Sequence, residues 1–205
     1  MGSIVSIKSK TKLGCNICDK CCINRGDIKI TPVNVIEISQ YMGISLHEFI
    51  EQYTENVENQ PLEIVIKAIG SHRRCILNDS QTYKCKVHPA KPMQCVTFPL
   101  IPIYLEKDIF YKQDTCVCEN QEEMAVLDWL NGKNGIYVKY KKIYMEWISF
   151  VEEMQKKWDK VEPTVQNQIF NLLYYNYENK CCGSKIEKSV RNNIRKARRL
   201  VKATK

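Results

Sequence analysis

No stretch of this 205-residue chain approaches the roughly 18–20 consecutive apolar residues that a membrane-spanning helix needs. A secretory signal is missing as well, because Lys8, Lys10 and Lys12 near the N-terminus are not followed by an apolar stretch. We therefore expect no membrane span and a cytoplasmic protein. Lysine, isoleucine and asparagine are abundant while arginine is scarce before the C-terminal tail, a bias typical of an AT-rich bacterial genome.

The chain also lacks the motifs that identify most enzyme classes. It has no glycine-rich nucleotide loop, no phosphate-cradling motif and no nucleophile–base pair at a recognisable spacing. A methyltransferase needs a cofactor pocket, and no sequence element marks one. Whether the protein is an enzyme is therefore left open by its sequence.

Cysteine is the residue type that the chain has in excess, with 11 among 205 residues. In a chain with no export signal, so many thiols indicate a reducing compartment and metal ligation rather than a disulfide framework. The odd number also argues against complete pairing of the thiols.

Four of the cysteines form one dense run, Cys15-Asn-Ile-Cys18-Asp-Lys-Cys21-Cys22. Two-residue spacers permit tight turns, so the thiols of such a run can converge on one centre. The first three have the spacing that bacterial ferredoxins use for an iron–sulfur cluster, whereas the fourth does not. Zinc ribbons normally bring two knuckles about 12–20 residues apart, and the other cysteines here are dispersed instead. Buried free thiols would explain one or two cysteines but not this arrangement.

A second set of cysteines lies between residues 75 and 118. Nine residues separate Cys75 from Cys85, nine more separate Cys85 from Cys95, and Cys116 and Cys118 follow later. Four prolines between residues 89 and 102 break regular structure around these cysteines. Such a composition predicts a loop-rich wall whose path is fixed by metal ligands rather than by a sheet.

The order and spacing of these motifs resemble the YkgJ-type cysteine-cluster family, also described as the CxxCxxCC zinc- or iron-chelating domain. The likeness covers about residues 15–118 and includes the segments 27–32, 43–49 and 91–99. Lys91 stands where the family usually has arginine. A related class, the flagellin lysine N-methylases, is similar in this module and is associated with a 4Fe–4S cluster. The resemblance implies a metal or cluster site and no settled activity.

The predicted metal ligands are eight cysteines: Cys15, Cys18, Cys21, Cys22, Cys75, Cys85, Cys95 and Cys116. Eight thiolates would serve two four-cysteine sites, whereas a single site would leave some of them structural. The ferredoxin-like triplet and the likeness to the methylases favour an iron–sulfur cluster of the 4Fe–4S type, with zinc held by four thiolates as the alternative. His88, three residues after Cys85, is expected to orient the loop rather than to bind the metal.

Three functions are consistent with these features and with the resemblance. The first is an iron–sulfur protein that serves redox or cluster-dependent chemistry with an unidentified protein partner. The second is an S-adenosylmethionine-dependent enzyme resembling the protein lysine methylases. The third is a zinc-stabilised module that binds nucleic acid.

Hydrophobic periodicity predicts a mainly α fold. Residues 1–118 are expected to form an irregular cysteine-rich metal-binding half with short strands, and residues 119–205 a helical cap. Thr31 before Pro32 marks a helix start, and Gly43 marks the end of that helix.

Further along the chain, residues 100–111 predict an apolar hairpin or a pair of short strands, and the pattern becomes helical from Asn120 onward. Apolar side chains at three- and four-residue steps predict one helix over residues 137–158, and Pro163 begins another that runs to about Asn179.

The net charge of +8 belongs to the C-terminal tail. Residues 184–205 hold nine Lys or Arg and one Glu, so the remaining 183 residues carry 22 basic and 22 acidic groups and are neutral. This tail predicts an amphipathic helix whose apolar face is formed by Ile186, Val190, Ile194, Ala197 and Val201. The basic face is either solvated or binds nucleic acid or an acidic protein surface.

Overall fold

The computed structural model describes residues 4–14, 20–105, 108–114, 121–131, 136–178 and 183–203. Of these residues, 51% are helical and 19% lie in strands. The fold is therefore mixed α/β, and the prediction of a mainly α fold is wrong. Each strand is only two to six residues long, which is too short for an alternating pattern to stand out in the sequence.

The strands make small sheets. In chain order they are β1 (Ile4–Val5), β2 (Lys10–Leu13), β3 (Lys29–Ile30), β4 (Thr54–Asn56), β5 (Ile64–Ile66), β6 (Ala68–Ile69), β7 (Arg74–Cys75), β8 (Leu100–Leu105), β9 (Asp108–Gln113) and β10 (Glu122–Ala125). Within the described ranges they pair in the orders β1-β9-β8, β10-β2, β3-β5-β4 and β6-β7. The β8–β9 pair is antiparallel, which confirms the predicted hairpin.

The helices provide the longer elements. They are α1 (Pro32–Met42), α2 (Leu46–Tyr53), α3 (Met93–Thr97), α4 (Val126–Asn131), α5 (Ile136–Gln155), α6 (Pro163–Tyr174) and α7 (Ser184–Ala203), together with short 3-10 helices at Lys20–Cys22, His88–Ala90 and Trp158–Lys160. Both helices predicted after residue 136 are present, although α6 ends earlier than expected. Among the residues with assigned positions, no helix is both long enough and apolar enough to cross a membrane.

The chain divides into two compact units. The first comprises Met1–Ile28 and Ile66–Met145, and the second comprises Lys29–Val65 and Glu146–Lys205. The sequence predicts a different division, into a cysteine-rich region 1–118 and a helical region 119–205, and that division stays a prediction.

The first unit has its own apolar core. Its buried members come from strands β2, β8 and β9 and from helices α3 and α4: Leu13, Met93, Leu100, Tyr111, Val126, Trp129 and Leu130. The Trp129 indole N–H donates to the carbonyl of Thr97 at 3.1 Å, so this large ring is buried without losing its hydrogen bond. The core thereby fixes α3, which carries one of the cysteines.

Residues 122–125 are a strand, so the prediction of helix from Asn120 onward is wrong at this point. The sequence Glu-Glu-Met-Ala favours a helix by local propensity. It pairs instead with β2, in a register that places Glu123 opposite Lys12 and Met124 opposite Thr11. An opposite-charge pair across two strands stabilises a sheet, and this long-range pairing overrides the local preference.

The first helix of the second unit, α1, is capped at both ends. The Thr31 hydroxyl accepts from the Asn34 backbone N–H at 3.4 Å, and the Asn34 side chain accepts from the Thr31 N–H at 3.1 Å. Gly43 ends α1 with φ of 68°, a left-handed conformation that glycine adopts at low cost. The predicted start and end of this helix are therefore confirmed.

Helix α7 supplies much of the core of the second unit, where it packs against α1 and α6. Its predicted apolar face is buried, with side-chain exposures between 0% and 6% for Ile186, Val190, Ile194, Ala197 and Val201. Tyr174 on α6 is fully buried, and its hydroxyl donates to the Leu62 carbonyl at 2.7 Å. The amphipathic pattern of the tail is therefore a packing pattern.

Candidate metal centre

Within the described residues, cysteines from four separate segments of the first unit line one cavity: Cys21, Cys22, Cys75, Cys85 and Cys95. All five are free thiols; Cys75 is buried and the others are partly buried. The cavity has a volume of about 60 Å³, room for roughly four water molecules. Of the other predicted ligands, Cys15, Cys18 and Cys116 lie outside the described residues.

Backbone hydrogen bonds bring the first cysteine segment to the second. Cys21 and Cys22 lie in the 3-10 helix, and the chain just after them runs along the turn that precedes Cys75. There the Asn24 N–H donates to the His72 carbonyl at 2.9 Å, and the Arg25 N–H donates to the Arg73 carbonyl at 3.0 Å.

Gly26 leaves room for the Arg73 side chain beside this contact. A Cβ atom at position 26 would lie 1.8 Å from a guanidinium nitrogen of Arg73, so a larger residue would displace that side chain. Glycine is the residue that leaves this space open.

The loop between Cys75 and Cys85 is held by Asn78. Cys75 sits at the end of the β6–β7 hairpin, and Asn78 forms a β-bridge with Cys85. The Asn78 side chain is buried; it accepts from Arg74 at 2.6 Å and donates to the Tyr83 carbonyl at 3.1 Å. The Arg74 guanidinium also lies 5.2 Å from the centre of the Tyr83 ring. These contacts fix the separation of the two cysteines.

Asp79 completes the same loop from its exposed side. Its carboxylate accepts from the backbone N–H groups of Gln81 at 3.0 Å and Thr82 at 2.7 Å. These hydrogen bonds, with that from the Thr82 hydroxyl, lower the pKa of Asp79 below its ordinary value. The turn is thus built by an Asx motif rather than by tertiary packing.

Replacing Asn78 by alanine should therefore loosen the site. We expect the metal-free protein to lose about 1–3 kcal/mol of unfolding free energy, because two part-buried hydrogen bonds, to the Arg74 guanidinium and the Tyr83 carbonyl, would be lost at about 0.5–1.5 kcal/mol each. Urea denaturation of the purified protein measures this loss. Asn56→Ala, at an exposed position of β4, is the matched control and should cost less than about 0.5 kcal/mol. Equal effects of the two substitutions would contradict a structural role for Asn78.

Two cysteines share a local geometry that favours the thiolate. The backbone N–H of Leu77 donates to the sulfur of Cys75, and the backbone N–H of Val87 donates to the sulfur of Cys85. In both cases the donor is two residues after the cysteine. Hydrogen bonds to a sulfur stabilise its charged form and tune the properties of a bound cluster.

Cys95 enters the cavity from the first turn of α3. Its N–H donates to the Pro92 carbonyl at 2.9 Å. The helix is anchored at both sides, because the Gln94 side chain donates to the Asp27 carbonyl at 3.3 Å and the Thr97 carbonyl accepts from Trp129. A cysteine on so short a helix is positioned by these tertiary contacts rather than by helix propensity.

The thiols titrate unequally. A hydrogen bond from Cys22 lowers the pKa of Cys21 to about 6, helped by the positive charges of Lys91 and Arg25. The same hydrogen bond raises the pKa of Cys22 well above its ordinary value. The hydrogen bond therefore favours the thiolate at Cys21, with Cys22 as its donor.

Burial raises the pKa of the remaining thiols. The pKa of Cys75 rises to about 11, and burial also raises the pKa values of Cys85 and Cys95. Neighbouring cysteines add to the rise, since thiolates at Cys21, Cys75 and Cys85 would repel a thiolate at Cys95. Several thiolates can coexist here only beside a cation that compensates their charge.

Two basic side chains line the cavity with the thiols, Arg25 and Lys91. The Arg25 guanidinium lies 3.1 Å from an Asp27 carboxylate oxygen and 5.8 Å from the centre of the Phe98 ring. The Lys91 ammonium lies 3.3 Å from Nε2 of His88. Both charges lower the cost of a negatively charged, thiolate-ligated group in the cavity.

The sequence reasoning missed Arg25, although a signal was present. Only three arginines precede residue 191 in this lysine-rich chain: Arg25, Arg73 and Arg74. One of them lines the cavity, one fills the space over Gly26, and one holds Asn78. The concentration of arginine at the cysteine segments would have pointed to them.

The donor set fits a soft metal, although the thiols are spread around the cavity. Among the residues with described positions, no three Cys, His, Asp or Glu side chains are grouped closely enough to hold a metal ion as they stand. A single zinc with Zn–S bonds of about 2.3 Å would draw four sulfurs to about 3.8 Å from one another. The rest of the lining is mostly apolar and includes Ile28, Leu77, Val87, Phe98 and Trp129.

Comparison with known proteins agrees with this chemistry. A family model described as "CxxCxxCC: Putative zinc- or iron-chelating domain" matches residues 14–123, more than half of the chain, and this range includes all the cysteines that line the cavity. No solved structure matches the chain. The expected family resemblance is thereby confirmed, and the chain belongs to the CxxCxxCC family of zinc- or iron-chelating domains.

Proposed function

We propose that this protein holds an iron–sulfur cluster in the thiol cavity and serves redox or cluster-dependent chemistry with a protein partner. The observation that supports the proposal is the set of five free thiols, drawn from four segments, around one largely apolar cavity. Iron–sulfur clusters are held by cysteine thiolates, and their potentials depend on burial and on hydrogen bonds to the sulfurs.

The spacing of the thiols favours a cluster over a lone ion. Four ligands of one zinc would meet at a point, whereas no three of the described Cys, His, Asp or Glu side chains are grouped that closely. In a cluster several irons share the thiolates, so the sulfurs lie farther apart. The ferredoxin-like spacing of Cys15, Cys18 and Cys21 is consistent with the same choice.

We assign Cys21, Cys75, Cys85 and Cys95 as the ligands of this centre. All four line the same cavity, and a charge at Cys21 raises the pKa values of Cys75, Cys85 and Cys95. Cys22 donates to Cys21 and is assigned as its supporting thiol or as a ligand of a second centre. Cys15, Cys18 and Cys116 complete the eight candidate ligands, and their assignment rests on the sequence alone.

When bound, the cluster supplies electron transfer, and the surrounding residues set the conditions for it. Arg25 and Lys91 offset the negative charge of the thiolates. The rings of Phe98 and Trp129 line the cavity and reduce the access of water to it. Solvent access is one of the factors that set the reduction potential of a cluster. Free thiols survive in a reducing compartment, so the same proposal assigns the protein to the cytoplasm.

Elemental analysis of anaerobically purified protein tests this function. We expect iron and acid-labile sulfide in similar amounts, with broad visible absorption that bleaches on reduction. A colourless protein with stoichiometric zinc and no sulfide would overturn the cluster and leave a structural zinc domain. Calorimetry with S-adenosylmethionine separates an electron carrier from a methylase-like enzyme, because only the enzyme should bind it.

His88 lines the cavity, and its expected role is structural. Its ring contacts the Lys91 ammonium at 3.3 Å, which favours an orienting role over ligation. We expect His88→Ala to retain the full metal content, measured as iron per protein after anaerobic purification. Cys85→Ser, altered only three residues away, is the matched comparison and should lose the metal. Loss of metal from His88→Ala as well would show that the histidine is a ligand.

A further inference from the structure

Helix α7 presents a basic face that the core of the second unit does not use. Six of its basic side chains are exposed: Lys185, Lys188, Arg195, Lys196, Arg199 and Lys202. The two half-buried arginines serve a different purpose. Arg191 pairs with Glu146 at 3.1 Å, and Arg198 pairs with Glu153 at 2.9 Å. The helix thus separates the basic residues that hold it in place from those that face solvent.

Part of the exposed face of α7 forms one wall of a groove. The groove has a volume of about 550 Å³ and lies between residues 176–178 and residues 185–196 of α7. Three lysines line it, Lys185, Lys188 and Lys196, against one acidic residue, Glu178. Most of its remaining lining is polar, so the groove suits a charged chain rather than an apolar ligand.

One asparagine keeps the groove in shape. The Asn193 amide donates to the carbonyls of Leu172 at 2.8 Å and Asn176 at 3.1 Å, and its side chain is 4% exposed. These bonds tie α7 to the end of α6. Tyr177 is oriented in the same way, since its hydroxyl donates to the Leu173 carbonyl at 2.7 Å. The walls are therefore fixed before any ligand binds.

We propose that this groove binds the sugar–phosphate backbone of single-stranded nucleic acid. Lysine ammonium groups are mobile point charges that neutralise phosphates, and the Asn192 amide at the groove adds a hydrogen-bonding group. The half-buried Tyr177 ring borders the same space and can contact a base. Arg195, Arg199 and Lys202 continue the positive stripe along the helix, at steps that keep them on one side.

The alternatives fit these observations less well. A membrane surface would need large apolar side chains on the exposed face of the helix, whereas the five residues of the apolar face of α7 are buried. A flat acidic protein surface could contact Arg195, Arg199 and Lys202 on the outside of α7, but it would leave the groove unfilled. A narrow anionic chain can occupy both.

Fluorescence anisotropy with a labelled oligouridylate of about 20 nucleotides tests the proposal. The variant Lys188→Gln/Lys196→Gln removes two charges from the groove. We expect its affinity at low salt to fall by about tenfold, and the slope of log affinity against log salt to decrease in magnitude by about 1.4. The protein is used full-length with its metal site intact.

The matched control is Lys156→Gln/Lys160→Gln. It removes the same charge from exposed positions of the same unit, outside the groove. We expect less than about a twofold change in affinity from this control. Equal losses from both double variants would overturn the groove and leave only an effect of net charge. No binding by the intact protein at about 50 mM salt would also overturn it, as would binding to polyglutamate but not to the oligonucleotide.

Discussion

Cys85→Ser should strip the metal from this protein and destabilise its first unit in the same step. The four proposed ligands come from segments that are far apart in sequence, so an unfolded chain has no preformed site. Metal-binding free energy is then folding free energy, on the order of 10–16 kcal/mol for structural four-ligand zinc sites. If four thiolates share it about equally, one thiolate accounts for roughly 3 kcal/mol, or more than a hundredfold in affinity.

Cys21→Ser should give the same result from a different segment of the cavity lining. The two cysteines lie in segments joined by backbone hydrogen bonds near Cys75, so the proposal requires both to contribute to one centre. Metal content per protein and the midpoint of thermal unfolding, each measured anaerobically, report the two losses. Unchanged metal content in either variant would break the proposed link between the segments.

Loss of metal through a missing ligand must be distinguished from loss of metal through misfolding of the variant. Far-ultraviolet circular dichroism provides this check, because α6 and α7 belong to the second unit and contain no described cysteine. We expect their helical signal to persist in both serine variants. A variant that has lost the metal while keeping this signal supports ligation rather than general unfolding.

The chemistry of the site could be predicted from the sequence because cysteine is rare and its spacing is informative. Which residues surround the thiols could not. The scarcity of arginine singles out Arg25, but it does not place that residue at the cavity. Its position follows from backbone hydrogen bonds that residues 24 and 25 donate to His72 and Arg73, a long-range contact that the local sequence does not predict. In the sequence Asn78 is an ordinary loop residue, and only the structure shows its β-bridge to Cys85.

The elements with local signals were predicted well, and the others were not. Thr31 and Gly43 bound α1 as expected, because caps act on the residues next to them. Strand β10 was missed, because its conformation depends on β2, more than a hundred residues earlier in the chain. The described ranges contain ten such short strands, and for this reason the fold is mixed rather than mainly α.

Ile194→Ala should strongly destabilise the second unit. Ile194 is 0% exposed at the middle of the buried face of α7. Removing its outer carbons loses transfer free energy and leaves a cavity, for a cost of about 2–5 kcal/mol. Urea denaturation with a circular dichroism readout measures the loss. Arg195→Ala, at the next and exposed position, is the matched control and should change stability by less than about 0.5 kcal/mol.

The comparison of Ile194→Ala with Arg195→Ala also decides whether truncation of the basic tail can test polyanion binding. If α7 is core, truncation after Gly183 removes five buried apolar side chains together with the basic face, and a loss of polyanion binding would then report unfolding. We expect the truncated protein to aggregate for this reason, as seen by light scattering. A soluble truncated protein, together with an Ile194→Ala variant as stable as Arg195→Ala, would show that the helix is not a core element. The groove would then have no fixed wall.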